Sequence, residues 1–337
     1  MVVTALVRSA ARAARCAPEP HQRVARGAAR AGAGRPTRRS LCVRAEGHAR
    51  PPAHVEEVTS TKNPYVKHCV KLRRNATYRA DSGTALLTGL APIRELAAAG
   101  LLNIRVLISS GQAATADIPA AQRLQVSDAV MERLAGLEGA GGGASGGVVA
   151  AEVELPSPAA LADRLRAPPP HGLPSHRLLA LDSVQDPGNM GTLLRTACGL
   201  GWSGAFLLPG CCDPWNDKAL RAARGATFRL PLATGGWDEL EAVLGGDAVM
   251  LAADVPRAGA GAAPSLRAVA AGSAPVCLVL GSEGQGLSEA GRRRCAAVGV
   301  PMLGDMESLN VAAAGAILMH SLGPVGLAGL RGAGSKA

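Results

Sequence analysis

Three short segments bring together residue types able to hold a small polar ligand and to orient a reacting group. In Asp186 to Ala197 (DPGNMGTLLRTA), Pro187 and Gly188 suit a tight turn, and Asn189 can cap the helix that carries Arg195 about a turn and a half later. In Leu280 to Ser288 (LGSEGQGLS), Gly281, Gly284 and Gly286 allow backbone to approach a ligand closely, and Glu283 sits between them, where a lone carboxylate is costly to bury. In Val300 to Val311 (VPMLGDMESLNV), Ser308 and Asn310 flank Leu309 just before a helix of small residues, VAAAGAILMH, whose Ala and Gly faces permit very close packing. Taken alone, each residue has an ordinary structural role: a cap for Asn189 and Ser308, a solvated or ion-paired side chain for Arg195.

The glycine spacing fits neither a dinucleotide fingerprint nor a phosphate-binding loop. A nucleotide-dependent oxidoreductase, which strand–helix alternation would otherwise suggest, is disfavoured because no such fingerprint opens the first βα turn. Eight cysteines include no Cys-x-x-Cys pair, and the adjacent Cys211 and Cys212 lack a second pair, so reduced thiols and no metal are expected.

All three segments follow short apolar runs. Leu178 to Asp182, Gly204 to Leu208, Val249 to Ala253, Val276 to Gly281 and Val298 to Met302 have strand length. Helical patterns at Gly191 to Leu200, Lys218 to Arg224, Glu239 to Leu244 and Leu309 to Leu322 alternate with them. The fold class is therefore α/β, a mostly parallel sheet covered by helices, with ligands bound beyond the carboxyl ends of the strands. Before this region, Ala85 to Leu90 and Arg105 to Ser110 read as strands and Ile93 to Ala99 as a helix, which makes a smaller α/β domain. Glu56 to Arg79 is polar and basic, with no element assigned. Gly136 to Gly147 is a low-complexity Gly/Ala insertion, and Ala167 to Pro174 (APPPHGLP) marks a linker, with the boundary near 170.

Composition sets limits on partners. Two Phe, two Tyr and three Trp make base stacking on aromatic platforms an improbable way to grip nucleic acid, so charge and backbone contacts would have to serve. The formal charge is +10, but the first 50 residues hold eleven Arg against Glu19 and Glu46, leaving 25 basic and 24 acidic residues thereafter. That Arg- and Ala-rich, acid-poor start reads as a transit peptide over residues 1–50, with a processing site near Val43 to Ala45. The implied address is an organelle, the chloroplast favoured over the mitochondrion. No apolar run is long enough for a membrane span.

DPGNMGTLLRTA, GSEGQGLS and SLNVAAAGAI together, in this order, resemble the three motifs of the SpoU (TrmH-like) RNA 2′-O-methyltransferases of the SPOUT superfamily, over about residues 175 to 325. Lys218 to Pro231 (KALRAARGATFRLP) is similar as well, with Ala223 where a Ser is common. Val58 to Tyr78 is similar to the start of the family's substrate-binding domain. The resemblance implies S-adenosyl-L-methionine as cofactor, a deep trefoil knot in the C-terminal domain, and a homodimer with the working site at its interface. It implies contacts to the cofactor from Leu280, Gly281, Gly284, Val300, Met302 and Leu309, and a catalytic set of Asn189, Arg195, Glu283, Ser308 and Asn310. The expected layout is an RNA substrate-binding domain over 56–166, a linker over 167–175, the methyltransferase domain over 176–326 and a tail over 327–337.

The expected partner is RNA, ribosomal rather than transfer RNA, because the two-part architecture resembles the ribosomal branch. Lys62, Lys67, Lys71, Arg73, Arg74 and Arg79 form a basic run without acids, and with Arg221 they are the candidates for RNA contact. A non-catalytic ribosome-assembly factor of the same fold is the alternative, and the full set of motif residues speaks against it.

Overall fold

The computed structural model describes residues 57–136, 148–157, 159–254, 264–284, 286–305 and 308–323. The leader, nearly all of the Gly-rich insertion and the tail lie outside the described residues.

Residues 57–176 begin with two helices, α1 (Pro64–Arg74) and α2 (Ala76–Ser82). They continue through β1 (Thr84–Thr88), α3 (Leu90–Ala98), β2 (Ile104–Ser109), β3 (Gln122–Gln125), α4 (Asp128–Ala135), β4 (Val149–Glu154) and α5 (Ala159–Arg166). The basic stretch left without an element is thus helical. Asn63 caps α1, Pro64 stands at its first position, and Tyr65, Val66, Cys69 and Leu72 bury one face of it. The four strands form one sheet in the order β1-β4-β2-β3, antiparallel except for β2 with β3.

The second sheet contains β5 (Arg177–Asp182), followed by α6 (Pro187–Gly199), β6 (Gly204–Leu207), α7 (Asp217–Ala223), α8 (Ala226–Arg229) and β7 (Leu232–Thr234). Then come α9 (Trp237–Leu244), β8 (Val249–Ala253), α10 (Leu266–Ala271), β9 (Val276–Gly281), α11 (Glu289–Arg294), β10 (Ala296–Val298) and α12 (Val311–Leu322). Its order is β10-β8-β9-β5-β6-β7, and every pairing is parallel. All six residues of β5 and all six of β9 are buried, as expected of central parallel strands covered on both faces. The last strand is shorter than the expected Val298 to Met302: it ends at Val298, and Val300 and Met302 lie in the following loop. Its neighbour β8 ends at Ala253, the partner of Val298, so the ladder has nothing to pair with the residues beyond.

β5 and β9 are neighbours although β6, β7 and β8 intervene in sequence, so the chain leaves β5 toward one edge and builds the other edge from β8 to β10. The strand order reverses there, and in open α/β sheets a crevice opens beyond the carboxyl ends of such a pair. α12 reaches this crevice by packing closely: a Cβ at Gly315 would come within 2.6 Å of Leu280 and 2.7 Å of Leu193. At the opposite end of β5, the fully buried Arg177 donates to the carbonyls of Leu322 (3.0 Å) and Ala270 (2.8 Å) and to Ser175 Oγ (2.5 Å). It thereby ties the ends of α12 and α10 to the central strand.

The two sheets share apolar packing. Leu220 of α7 and Phe228 of α8 belong to the cluster that contains Leu87, Ile93, Leu96 and Leu107 of the first sheet and its helix α3.

Candidate active site

The carboxylate of Glu283 stands just beyond β9, on a loop that folds back on the strand. Ser282 and Gly286 exchange backbone hydrogen bonds of 3.0 and 2.9 Å, and Gly281 lies so close under this turn that a Cβ there would meet the Gly286 carbonyl carbon at 2.5 Å. Only glycine fits at position 281. Glu283 Oε1 accepts a hydrogen bond from Asn189 Nδ2 and another from Asn310 Nδ2, each at 2.6 Å, and Asn310 Nδ2 also reaches Asn189 Oδ1 at 3.3 Å. Each loop thus contributes one member of a closed hydrogen-bonded triangle, and bonds to a carboxylate are the stronger kind.

The caps differ from the expectation. Asp186, not Asn189, caps α6: its side chain accepts from the Asn189 N–H at 2.7 Å, and Pro187 occupies the first helical position. The Asn189 amide is thereby released to reach Glu283. At α12 the cap is Asn310, whose Oδ1 accepts from Ala312 and Ala313 while its Nδ2 holds Glu283. Ser308 is exposed two residues earlier and does not cap.

Two cavities meet at Glu283. One, of about 250 Å³, is lined by the backbone of Gly281, Gly286 and Gly299, by Val300, Met302 and Leu309, and at one end by Asp254. The other, of about 300 Å³, is lined by Asp186, Asn189, Glu283 and Gly284. Apolar walls, backbone edges and the Glu283 carboxylate suit a ligand that combines a flat base with a positive charge, whereas the Asp254 carboxylate already faces Arg292 at 3.7 Å. Leu280 is fully buried in the core, so only its backbone could serve such a ligand, and Gly284 faces the second cavity, not the first.

Arg195 lies on the exposed side of α6 with Thr192, and among the described residues it has no hydrogen-bond or ion-pair partner. It is not part of the triangle. α12, which packs on α6 through Gly315 and Leu193, has Ile317 46% exposed, and Met302 and Leu309 are also well exposed at 37% and 39%.

Asp182 was missed by sequence reasoning. This buried carboxylate ends β5 and accepts the Ser288 N–H at 2.7 Å, anchoring the far end of the Glu283 loop. Its signal was a lone acid closing an apolar strand. Near Asp186, burial and the adjacent Cys211, Asp213 and Asp186 push the Cys212 thiol up to about 11. The six described cysteines are free thiols. No group of His, Cys, Asp and Glu able to hold a metal occurs among the described residues, and no helix among them is long and apolar enough to cross a membrane.

The basic candidates divide into two groups. Lys62, Lys67, Lys71 and Arg74 are exposed, the last three along one face of α1. Arg73 donates to the Arg133 carbonyl, while Arg221 pairs with Asp217 at 2.5 Å and donates to Ala135. Arg79 is 2% exposed and ion-paired with Asp213, so it offers nothing to an external ligand.

Residues 176–320 match the model of the SpoU rRNA Methylase family. Among curated proteins, the chain is 30% identical over 280 residues to an uncharacterized tRNA/rRNA methyltransferase of Synechocystis, covering 79% of this chain and 93% of that one. It is 34% identical to the 23S rRNA (guanosine(2553)-2′-O)-methyltransferase RlmP of Bacillus subtilis, over 44% of this chain and 58% of that one. A shorter stretch of 62 residues is 52% identical to the human mitochondrial rRNA methyltransferase 3, over 18% of this chain and 14% of that one. Among solved structures, the AdoMet-bound rRNA methyltransferase of Sinorhizobium meliloti superposes with a TM-score of 0.64 at 26% identity, over 80% of this chain and 97% of that one. The SpoU methyltransferase AviRb of Streptomyces viridochromogenes shares the fold, with a TM-score of 0.63 at 23% identity over 79% and 99%.

Proposed function

The chain belongs to the SpoU rRNA methylase family, and from that premise we propose that this S-adenosylmethionine-dependent RNA methyltransferase modifies a ribose 2′-hydroxyl of organellar ribosomal RNA. The observation that carries the reading is the convergence of Asn189, Glu283 and Asn310 at the junction of two cavities. The 2′-O-methyltransferase of B. subtilis named above supports the choice of the ribose oxygen.

The apolar, glycine-edged cavity fits S-adenosylmethionine: Gly281, Val300 and Leu309 would hold it largely by backbone and apolar contact, with the Glu283 carboxylate in the lining to offset its positive charge. When bound, it supplies a methyl group on positively charged sulfur, open to in-line attack by an oxygen. The target ribose would enter the second cavity, where Asn189 and Asn310 fix Glu283 and so shape the approach. A guanidinium offers five N–H donors and no acceptor, so the part of Arg195 is to orient the target phosphate or to ease ionisation of the 2′-hydroxyl. The hydroxyl proton would pass to a phosphate oxygen or water. Holding reactants in attack geometry can supply ~7 to 11 kcal/mol, against ~10²- to 10⁴-fold for general-base help, so positioning dominates.

The exposed residues of α6 and α12, Arg195 and Ile317 among them, support a second copy of the chain completing the site, and the threading of α12 as a trefoil is part of the same reading. The division into an RNA-binding half over 56–166 and a methyltransferase half over 176–326 belongs to it as well, with Lys62, Lys67, Lys71 and Arg74 as the RNA face. The acid-poor leader and the mitochondrial relatives support an organellar address. These relatives favour the mitochondrion and do not support the chloroplast preference drawn from the leader.

The deciding experiment offers labelled S-adenosylmethionine and organellar RNA to the full chain, with Arg195→Ala as control, and maps the product by 2′-O-methyl-sensitive sequencing. One ribose methylated by the wild type and not by the variant is expected. A methyl group found on a base, or none on any RNA, would overturn the proposal.

A further inference from the structure

Arg79 is buried in α2 yet serves three partners that belong to two other parts of the molecule. Its Nη1 donates to the carbonyls of Leu72 (2.5 Å) and Arg73 (3.1 Å), the last turn of the basic helix α1. Its Nε donates to Asp213 Oδ2 at 2.8 Å, and its Nη2 completes the fork on the same carboxylate. Asp213 lies 134 residues away, in the loop between β6 and α7. Its other oxygen accepts the Trp215 N–H at 2.9 Å, which sets the turn. The neighbouring Cys212 N–H donates to the Val184 carbonyl at 2.9 Å. Val184 lies two residues before Asp186, and both line the cavity that holds Asn189 and Glu283.

One buried guanidinium therefore clamps the end of the basic helix and, through Asp213, the loop that bounds the second cavity. A planar fork with five donors can do both at once, which a lysine cannot. The apolar contacts of Leu220 and Phe228 with the first sheet back this junction from the side.

We propose that Arg79 is a positioning residue for methyl transfer, which keeps RNA gripped by α1 in fixed register with the Asn189–Glu283–Asn310 triangle. RNA binding belongs to Lys67, Lys71 and Arg74, and Arg79 determines where the bound RNA presents its ribose. The proposal rests on the methyl-transfer reading above, and its own signature is a loss in rate with affinities kept.

The test uses the full chain and the RNA fragment it methylates. Arg79→Lys, Asp213→Asn and the double variant are compared with the wild type for S-adenosylmethionine affinity by calorimetry, RNA affinity by fluorescence anisotropy, and single-turnover rate at saturating RNA. Both affinities should stay within about twofold while the rate falls by about tenfold to 10²-fold, because a misplacement of about 1 Å suffices for such a loss. The double variant should be no slower than the slower single one, since both break one interaction. Unchanged single-turnover rates in both single variants, or additive losses in the double, would overturn the positioning role and leave the methyl-transfer reading standing. A wild-type chain that binds cofactor and RNA but transfers no methyl group would overturn both. Should Arg79→Lys lose its cooperative thermal unfolding, Asp213→Asn decides, with a photo-crosslinker placed at Lys71. In the wild type the cross-linked nucleotide should lie at one fixed offset from the methylated ribose, and in Asp213→Asn at several. A single unchanged offset overturns the proposal.

Discussion

Asn189 and Asn310 stand 121 residues apart in sequence and donate to the same oxygen of Glu283. Asn310 does this while its own carbonyl oxygen caps α12, so one side chain fixes both the helix and the carboxylate.

Asn310→Asp separates the two duties. Asp caps a helix as well as Asn and suits the positive end of the helix dipole, so thermal stability should hold near the wild-type value. The new carboxylate has no N–H to give Glu283 and repels it, which opens the triangle at neutral pH. Turnover should therefore fall by about tenfold or more while the melting temperature holds. Wild-type turnover in a variant that unfolds like the wild type would count against the triangle as the organiser of the site.

Arg195 is exposed and without a partner among the described residues, so removing it should cost the fold little. Arg195→Ala and Arg195→Lys should unfold within about 1–2 °C of the wild type, as surface substitutions usually stay within about 0.5 kcal/mol. Both should lose most of their turnover, because Lys keeps the charge but not the planar fork. Near-normal turnover by Arg195→Lys would sink its orienting role.

RNA affinity should carry the mark of the exposed α1 face. Neutralising Lys67, Lys71 and Arg74 together should flatten the slope of log affinity against log salt by about 2, roughly 0.7 for each lost phosphate contact on single-stranded RNA. Removing Arg221, already paired with Asp217, should change the slope little. Equal changes in the two variants would place the RNA elsewhere.

The thiol of Cys212 is held up at about 11 in the fold, above its ordinary value, so its neutral form is favoured. Its contribution to stability is complete below the ordinary thiol value of about 8.5 and is lost as pH rises from there through the folded value. Alkylation of the native chain at pH 8 should accordingly be much slower at Cys212 than in the unfolded chain, and should accelerate toward pH 11. Mass spectrometry of labelled peptides reads this, and equal native and unfolded rates would show that burial does not protect the thiol.

The sequence made the second sheet legible because its strands are nearly continuous apolar runs, as at β5 and β9. The basic helix α1 was not legible: Tyr65, Val66, Cys69 and Leu72 repeat at helical spacing, but the intervening Lys and Arg lower the mean hydropathy and hide the period. The true cap of α6 was within reach, since Pro187 favours the first helical position and so points to Asp186. The triangle itself could not be read from spacing. Glu283 lies 94 residues from Asn189 and 27 from Asn310, and they meet only because β5 and β9 are adjacent and α12 packs by Gly315 onto β9 and α6. Arg79 shows the opposite failure, a charge read as part of a surface run although Asp213, far along the chain, draws it inside.

Arg177 gives α12 a hold on the interior of the second sheet. Two of its acceptors, the carbonyls of Ala270 and Leu322, are supplied by helices synthesised long after β5. A nascent chain that stops short of Leu322 would leave the Arg177 Nε without its acceptor and part of the core that α12 covers exposed, and both losses are destabilising. Ribosomal stalling or a premature stop codon anywhere before that residue should therefore yield a chain that proteases clear, so that the cell is spared a half-built enzyme competing for the same RNA.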